Sequence, residues 1–406
     1  MIGKLTTKGK PFYTYDLNKI EKAYTSLKKL PLINSSKIYY SIKSNNNSGV
    51  VDFINTLGGN FEVSSEGELD IVLAKSISSD KILVSGPYKS IGFYKRCLIN
   101  NIKMFSVESI VDLKKLEQVC VDLNQNCNVL LRINPINSSL QPGLRMTGVA
   151  SQFGIDEILM DKKLLIEMNK IDRVNIIGIH VFNGSNNFEL NHLVENFNSI
   201  LKLFIKTEKF LKRKLSTINF GGGFPSEYSN NKDPIDLKYI ENELHNICNS
   251  NKWLSEKEIL FESGRFITGA SGTIFGQVVD IKKNKGKEFA ILNFGMNALG
   301  GMNGIGRLYS PTAEINILTG NMIPSKKTTH FVGPSCSPLD VIGVKKNHTK
   351  LINIGDWISI NNVGAYGLSS SLINFISQDI PIEYCIHDNQ VVHKNLTKII
   401  KEEVFI

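Results

Sequence analysis

Cysteine is sparse in this 406-residue chain, and Cys97, Cys120, Cys127, Cys248, Cys336 and Cys385 form no CxxC pair and no regular spacing. That argues against a zinc ribbon and a disulfide framework, and makes reduced thiols in a cytosolic protein the expectation. Long apolar runs are also missing. No segment approaches the roughly 18 consecutive apolar residues of a membrane span, and Met1 to Lys10 lacks the continuous apolar core of a signal segment. Like charges never gather into blocks of five or six, so the net charge of +9 is spread along the chain. This suits a solvated basic surface or docking of an acidic partner, and gives no case for nucleic-acid binding.

What is present is apolar sequence in ample supply, 42% of the residues, in a chain long enough for two domains. From about residue 15 to 270, helical patterns alternate with short apolar runs. Leu17 to Lys29 predicts a helix, and Ser48 to Leu57 predicts another that stops at Gly58-Gly59. Ser65-Glu66-Gly67-Glu68 has the form of a capping box, opening a helix to about Ile77. Eight strands are predicted: Lys37 to Lys43, Phe61 to Val63, Lys81 to Ser85, Lys103 to Val107, Asn128 to Ile133, Ile176 to Phe182, Thr217 to Phe220 and Glu258 to Glu262. Eight strands with a helix or loop after each predict a (β/α)8 barrel over 15–270.

Beyond residue 270 the texture becomes rich in Gly, Val, Ile and Thr. Ile274 to Ile281, Phe289 to Asn293, Thr312 to Ile317, Thr328 to Val332 and Trp357 to Ile360 read as antiparallel strands of an all-β domain, a barrel or sandwich spanning 271–406 together with 1–14.

Five short segments carry the chemistry. The run Ile38-Tyr39-Tyr40-Ser41-Ile42-Lys43 ends a buried strand on one lysine. In partly apolar surroundings its pKa falls and some of it is the neutral amine that can attack a carbonyl and form a Schiff base, whereas lysines at strand ends are usually solvated. Gly221-Gly222-Gly223 follows a strand directly, as a phosphate cradle or as a tight turn. Glu262-Ser263-Gly264-Arg265 puts a carboxylate and a guanidinium at another strand end, a functional pair or an ordinary ion pair. Gly333-Pro334-Ser335-Cys336-Ser337-Pro338-Leu339-Asp340 and Gly364-Ala365-Tyr366-Gly367 form loops of the β domain.

In this order, from about Tyr13 to Pro381, these segments resemble the fold-type III pyridoxal-phosphate decarboxylases, the family of diaminopimelate and ornithine decarboxylases with an alanine-racemase-like fold. The resemblance implies pyridoxal 5′-phosphate as cofactor, held covalently by Lys43. It implies that Gly221, Gly222, Gly223, Arg265 and Tyr366 hold the phosphate, and that Glu262 faces the pyridine nitrogen. A carboxylate there keeps the nitrogen protonated, which favours decarboxylation over the racemisation of relatives with arginine at that place. Arg132 and Ser185 match cofactor-binding positions, and His180 and Phe182 lie in a strand-end motif, with Phe182 in a stacking position that relatives fill with histidine. Cys336 would protonate the product after carbon dioxide leaves, on a loop that in the family reaches across a homodimer interface.

Several departures carry information. Gln152-Phe153-Gly154 replaces Lys-Phe-Gly, Glu62 stands where aspartate is common, and Ser263 replaces a proline. Ser337 follows Cys336, where decarboxylases of diamino acids place an acid for the distal ammonium of the substrate. A buried ammonium without its partner costs about 3–5 kcal/mol, a factor of roughly several hundred to several thousand in affinity. Together with Phe182 and the stretch Gly143-Leu144-Arg145-Met146 to Gln152-Phe153-Gly154, Ser337 resembles the branch containing the butirosin-type decarboxylase of carrier-tethered glutamate and decarboxylases of siderophore pathways. An acidic carrier protein would complement the basic surface. The expectation is therefore a cytosolic, homodimeric decarboxylase in specialised metabolism whose substrate lacks a free distal ammonium, with Ser337 and Asp340 near that substrate. The alternatives are diaminopimelate decarboxylase itself, with Arg307 binding a distal carboxylate, an amino-acid racemase, and an inert regulatory homologue.

Overall fold

The computed structural model describes residues 9–30, 36–136, 144, 145, 148, 150–300, 313–320, 322–400 and 402. The first described strand, β1 (Phe12–Asp16), leads directly into helix α1 (Leu17–Lys28), whose first turn is capped by Asp16 accepting the Asn18 N–H at 3.0 Å. The eight barrel strands follow: β2 (Ser36–Ser41), β3 (Asn60–Val63), β4 (Ile82–Val84), β5 (Met104–Val107), β6 (Cys127–Asn134), β7 (Val174–His180), β8 (Thr217–Asn219) and β9 (Glu258–Ser263). Each pairs in parallel with the next, and β9 pairs in parallel with β2, which closes the ring. All eight predicted strands are present. Strands buried on both faces are near-continuous apolar runs, which is why this half of the chain is readable.

The helices between them pack on the outside: α2 (Ser48–Thr56), α3 (Glu66–Ala74), α4 (Ile91–Ile99), α5 (Ile110–Asp122), α6 (Lys162–Met168), α7 (Leu190–Leu211) and α8 (Lys238–Ser250). The predicted capping box at α3 forms: the Ser65 hydroxyl accepts the Glu68 N–H at 3.2 Å. The Glu68 carboxylate reaches one residue further back than expected and accepts the Ser64 N–H at 2.6 Å. At α2 the Asn47 side chain accepts the N–H groups of Gly49 and Val50, at 2.9 and 3.3 Å. This cap pins the loop between Lys43 and α2, which links helix initiation to the position of the lysine.

The second sheet contains β10 (Gly272–Asn284), β11 (Lys287–Leu292), β12 (Ser325–Val332), β13 (Val341–His348), β14 (Trp357–Asn361), β15 (Ile382–His387) and β16 (Gln390–Asn395), and β1 inserts between β10 and β15. The sheet is mixed, which corrects the expectation of antiparallel strands throughout: β1 runs parallel to β15, and β11 parallel to β12. Both parallel pairs join strands far apart in sequence, where a long connection makes the crossover possible. Of the predicted segment Thr312 to Ile317, only Asn316–Ile317 is a strand, paired with β14, and Thr312 lies outside the described residues. Phe12 stacks on Phe275 at 5.0 Å between ring centroids and meets Tyr384 edge-on at 5.9 Å, tying β1 into its sheet. Among the described residues no helix is long and apolar enough to cross a membrane.

Candidate active site

The C-terminal ends of the barrel strands converge on a cleft lined by Lys43, Phe182, Ser185, Gly222, Gly223, Glu262, Arg265 and Tyr366, with Ser41, Phe224, Ser263 and Gly264 completing its wall. This is the face of a barrel on which active sites are built. Lys43 stands on a single 3-10 turn, Ile42–Ser44, immediately after β2. A loop of the β domain fastens that turn. The Tyr366 N–H donates to the Ser44 carbonyl at 2.7 Å, the Asn45 amide donates to the Gly364 carbonyl at 2.8 Å, and the Ser369 hydroxyl donates to the Lys43 carbonyl at 3.2 Å.

The Lys43 ammonium pairs with Glu62, whose oxygens lie 2.9 and 3.1 Å from Nζ. Burial alone would lower the lysine pKa, as the sequence suggested. The charge of Glu62, reinforced by Tyr366 and Glu262, outweighs that and raises it instead, so the expectation of a depressed amine is corrected for the cofactor-free protein. Glu62 itself is lowered to about 2: its burial opposes ionisation, but Lys43 and the hydroxyls of Ser41 and Ser85 overcome it.

Glu262 behaves in the opposite way. It is 1% exposed, accepts one hydrogen bond from the Asn219 amide at 2.8 Å, and is pushed up to about 8 by burial and by the Glu62 charge. Two carboxylates thus share one cavity with separated roles, one anionic beside the amine and one able to carry a proton near neutrality. His180 lies under them, with Nε2 3.3 Å from Glu262 Oε1 and Nδ1 2.8 Å from the Ser106 hydroxyl. Burial and the neighbouring Arg132 hold its imidazole well below the usual range, so it is neutral.

Arg132 is buried between two rings, 4.7 Å from the Phe153 centroid and 6.0 Å from that of Phe182, and bonds Glu108 at 2.7 Å through Nη1. Arg265 lies over the Tyr366 ring at 4.2 Å and donates from Nε to the Ser185 hydroxyl at 3.1 Å. The glycines form a floor with no side chains. A Cβ on Gly222 would come within 2.7 Å of the Glu262 carbonyl and 3.0 Å of the Phe182 ring, and Gly221 and Gly223 have φ of +62° and +115°, which L side chains rarely adopt.

The family model for the pyridoxal-dependent decarboxylase pyridoxal-binding domain matches residues 17–269, the whole barrel. The chain belongs to the pyridoxal-dependent decarboxylases. It is 28% identical over 92% of its length to L-glutamyl-[BtrI acyl-carrier protein] decarboxylase of Niallia circulans, covering 88% of that protein. It is 27% identical over 91% of its length to 2-[(L-alanin-3-ylcarbamoyl)methyl]-2-hydroxybutanedioate decarboxylase of Staphylococcus aureus, covering 92% of it. The crystal structure of diaminopimelate decarboxylase from Helicobacter pylori complexed with L-lysine superposes with a TM-score of 0.83 at 27% identity, covering 97% of this chain and 96% of that one.

Pyridoxal 5′-phosphate is accordingly the cofactor and the enzyme is a carboxy-lyase. The cleft fits that group: an amine, a floor of glycine backbone, the Arg265 cation and the protonatable Glu262 surround it. Two buried polar atoms at its edge, Arg132 Nε and Ser263 Oγ, have no hydrogen-bond partner among the described residues.

The structure places Lys43, Phe182, Ser185, Gly222, Gly223, Glu262, Arg265 and Tyr366 in one cleft, with Gly221, Arg132 and His180 directly behind it. It does not bring Cys336 or Ser337 there. They lie on the loop between β12 and β13, with Cys336 exposed. Asp340, expected near substrate, is 3% exposed. Its two oxygens accept the N–H groups of Met296 and Ser335, at 2.7 and 2.9 Å, so it shapes the loop and does not face a ligand. Arg307 and Met146 lie outside the described residues. In the sequence Glu62 stands out only as a variant position. The available signal was topological, because Glu62 is the residue beside Ser41 on the next parallel strand of the ring.

Proposed function

We propose that this enzyme is a cytosolic homodimer that decarboxylates an L-amino acid whose side chain carries no free ammonium, because it is acylated or tethered to a carrier. The observation that carries this is the loop around Cys336. Ser337 occupies the position of the acid that would receive a distal ammonium, and the one carboxylate in the Gly333–Asp340 loop, Asp340, is buried and fully engaged by backbone N–H groups. Two relatives are named for a carrier-bound glutamyl group and for a carbamoyl-linked alanine. Six free cysteines suit a reducing compartment.

In this reading Lys43 attaches the cofactor, and the glycine floor, Ser185, Arg265 and Tyr366 hold its phosphate. Phe182, backed by the Arg132 guanidinium, would cover one face of the bound ring. Bound there, pyridoxal phosphate supplies the electron sink for the pair left by carbon dioxide. Glu262, pushed up to about 8 by burial and the Glu62 charge, would face the ring nitrogen and hold a proton there. Cys336, exposed on its own chain, serves the partner subunit and donates the proton that replaces the carboxylate.

Diaminopimelate is the second substrate to consider, because the fold match to diaminopimelate decarboxylase spans nearly the whole chain. Carbon dioxide release from meso-diaminopimelate and from glutamate thioester-linked to an acyl carrier protein separates the two. Turnover of the tethered substrate alone supports the proposal. Turnover of diaminopimelate overturns it.

A further inference from the structure

Among the described residues, the Lys43 amine has a single side-chain hydrogen-bond partner, Glu62, which is 2% exposed. Hydroxyls from neighbouring strand ends hold that carboxylate: Ser41 at the end of β2, Ser85 after β4 and, at 3.5 Å, Ser64 after β3. A carboxylate clamped from three sides cannot swing away. Its remaining capacity is aimed at Nζ.

The other charged or titratable groups facing the pair do not reach the amine with a hydrogen bond. Glu262 is occupied by Asn219, and Tyr366 faces Arg265. Glu68 stands behind Ser64, Arg132 is across Phe182, and His180 bonds Ser106. Lys43 can attack a carbonyl only as a neutral amine, yet it is held as an ammonium by this carboxylate, with its pKa raised. The proton has to go somewhere, and one acceptor is within reach.

We propose that Glu62 is a catalytic residue that takes a proton from Lys43 Nζ as the amine attacks the cofactor aldehyde and returns it to the oxygen that leaves. The balance closes without another reactant. A C–N bond forms, the carbonyl C–O bond breaks, and ammonium plus aldehyde become a positively charged C=N group plus water. The proton lent to Glu62 departs in that water. The proposal rests on Lys43 as the attachment lysine.

The test follows attachment of pyridoxal phosphate to the cofactor-free protein by absorbance and by borohydride trapping on the Lys43 peptide, from about pH 5 to about pH 9. In the wild type the pair carries one shared proton throughout this range, so the attachment rate should change by less than about threefold. In Glu62→Gln the proton must leave to solvent, so the rate should climb about tenfold per pH unit up to the lysine pKa, which burial without the carboxylate lowers, and level off above it. Glu62→Asp, which keeps the carboxylate, should restore a flat profile at a lower rate. It also serves if the glutamine variant folds poorly. Parallel profiles for wild type and Glu62→Gln, or a steep one for Glu62→Asp, would overturn the role of Glu62. Trapping that persists in Lys43→Ala would instead overturn the lysine reading itself, whatever the Glu62 profiles show.

Discussion

Lys43 stands among strand ends of its own barrel and a loop of its own β domain, whereas Cys336 projects to solvent from a loop held from below by Asp340. The first region is crowded with charge and densely bonded. Glu62 holds the Lys43 ammonium, Glu262 meets His180, Arg132 bonds Glu108 beside Phe182, and Arg265 bonds Ser185. The second is a loop that carries the exposed Cys336 thiol outside the cleft that holds Lys43. Cofactor chemistry needs preorganised electrostatics, which one folded chain can supply. In the proposed reading, proton delivery and substrate selection fall to a loop that would finish the site only on assembly. On that proposal, a substitution at Ser337 would change substrate choice while the cofactor half stays as it is.

The largest expected effect is in the first region. Lys43→Ala should remove the absorption band of covalently held cofactor and lower turnover by about a thousandfold or more. An unchanged band after dialysis would contradict the assignment.

Glu262→Gln comes next and is read through pH. The Glu262 pKa is raised in the folded, cofactor-free protein, so its stabilising contribution is present at low pH and is lost as the pH rises through about 8. The glutamine variant lacks that loss. Its melting temperature should fall less between about pH 5 and about pH 9, with a difference of up to a few kcal/mol at the alkaline end. Identical pH profiles would show that Glu262 is not held protonated.

In the second region, Asp340→Ala should cost about 1–3 kcal/mol by leaving the buried N–H groups of Met296 and Ser335 without an acceptor. It should reduce kcat while leaving cofactor affinity unchanged, and a loss of cofactor affinity would show that the two regions are not separable. The smallest effect is a gain: Ser337→Glu should raise turnover of diaminopimelate about tenfold by supplying a partner for the distal ammonium. No gain would mean that Ser337 does not set the substrate class.

The same contrast governs what the sequence could disclose. The barrel strands are legible because burial on both faces makes them apolar throughout, and most residues that line the cleft sit at their ends. In the β domain, β13 reads Val-Ile-Gly-Val-Lys-Lys-Asn-His and β16 reads Gln-Val-Val-His-Lys-Asn, half-exposed sequences without a clear period, and neither was predicted. The parallel pairing of β1 with β15 joins residues more than 360 positions apart, for which local pattern holds no information. The pKa of Lys43 went the wrong way because its partner is 19 residues distant, on another strand. Asp340 looked available for substrate because burial of a carboxylate beneath Gly295 and Gly333, where a Cβ would meet it at 2.3 Å, appears only in three dimensions.

The most direct test of this division is to mix Lys43→Ala subunits with Cys336→Ala subunits and measure correctly protonated product. If each site joins the lysine of one chain to the thiol of its partner, random exchange leaves one intact site in half of the dimers, and about a quarter of wild-type activity should return. If the mixture is no more active than the two variants apart, lysine and thiol act within one chain, and the account of a site completed by assembly is wrong.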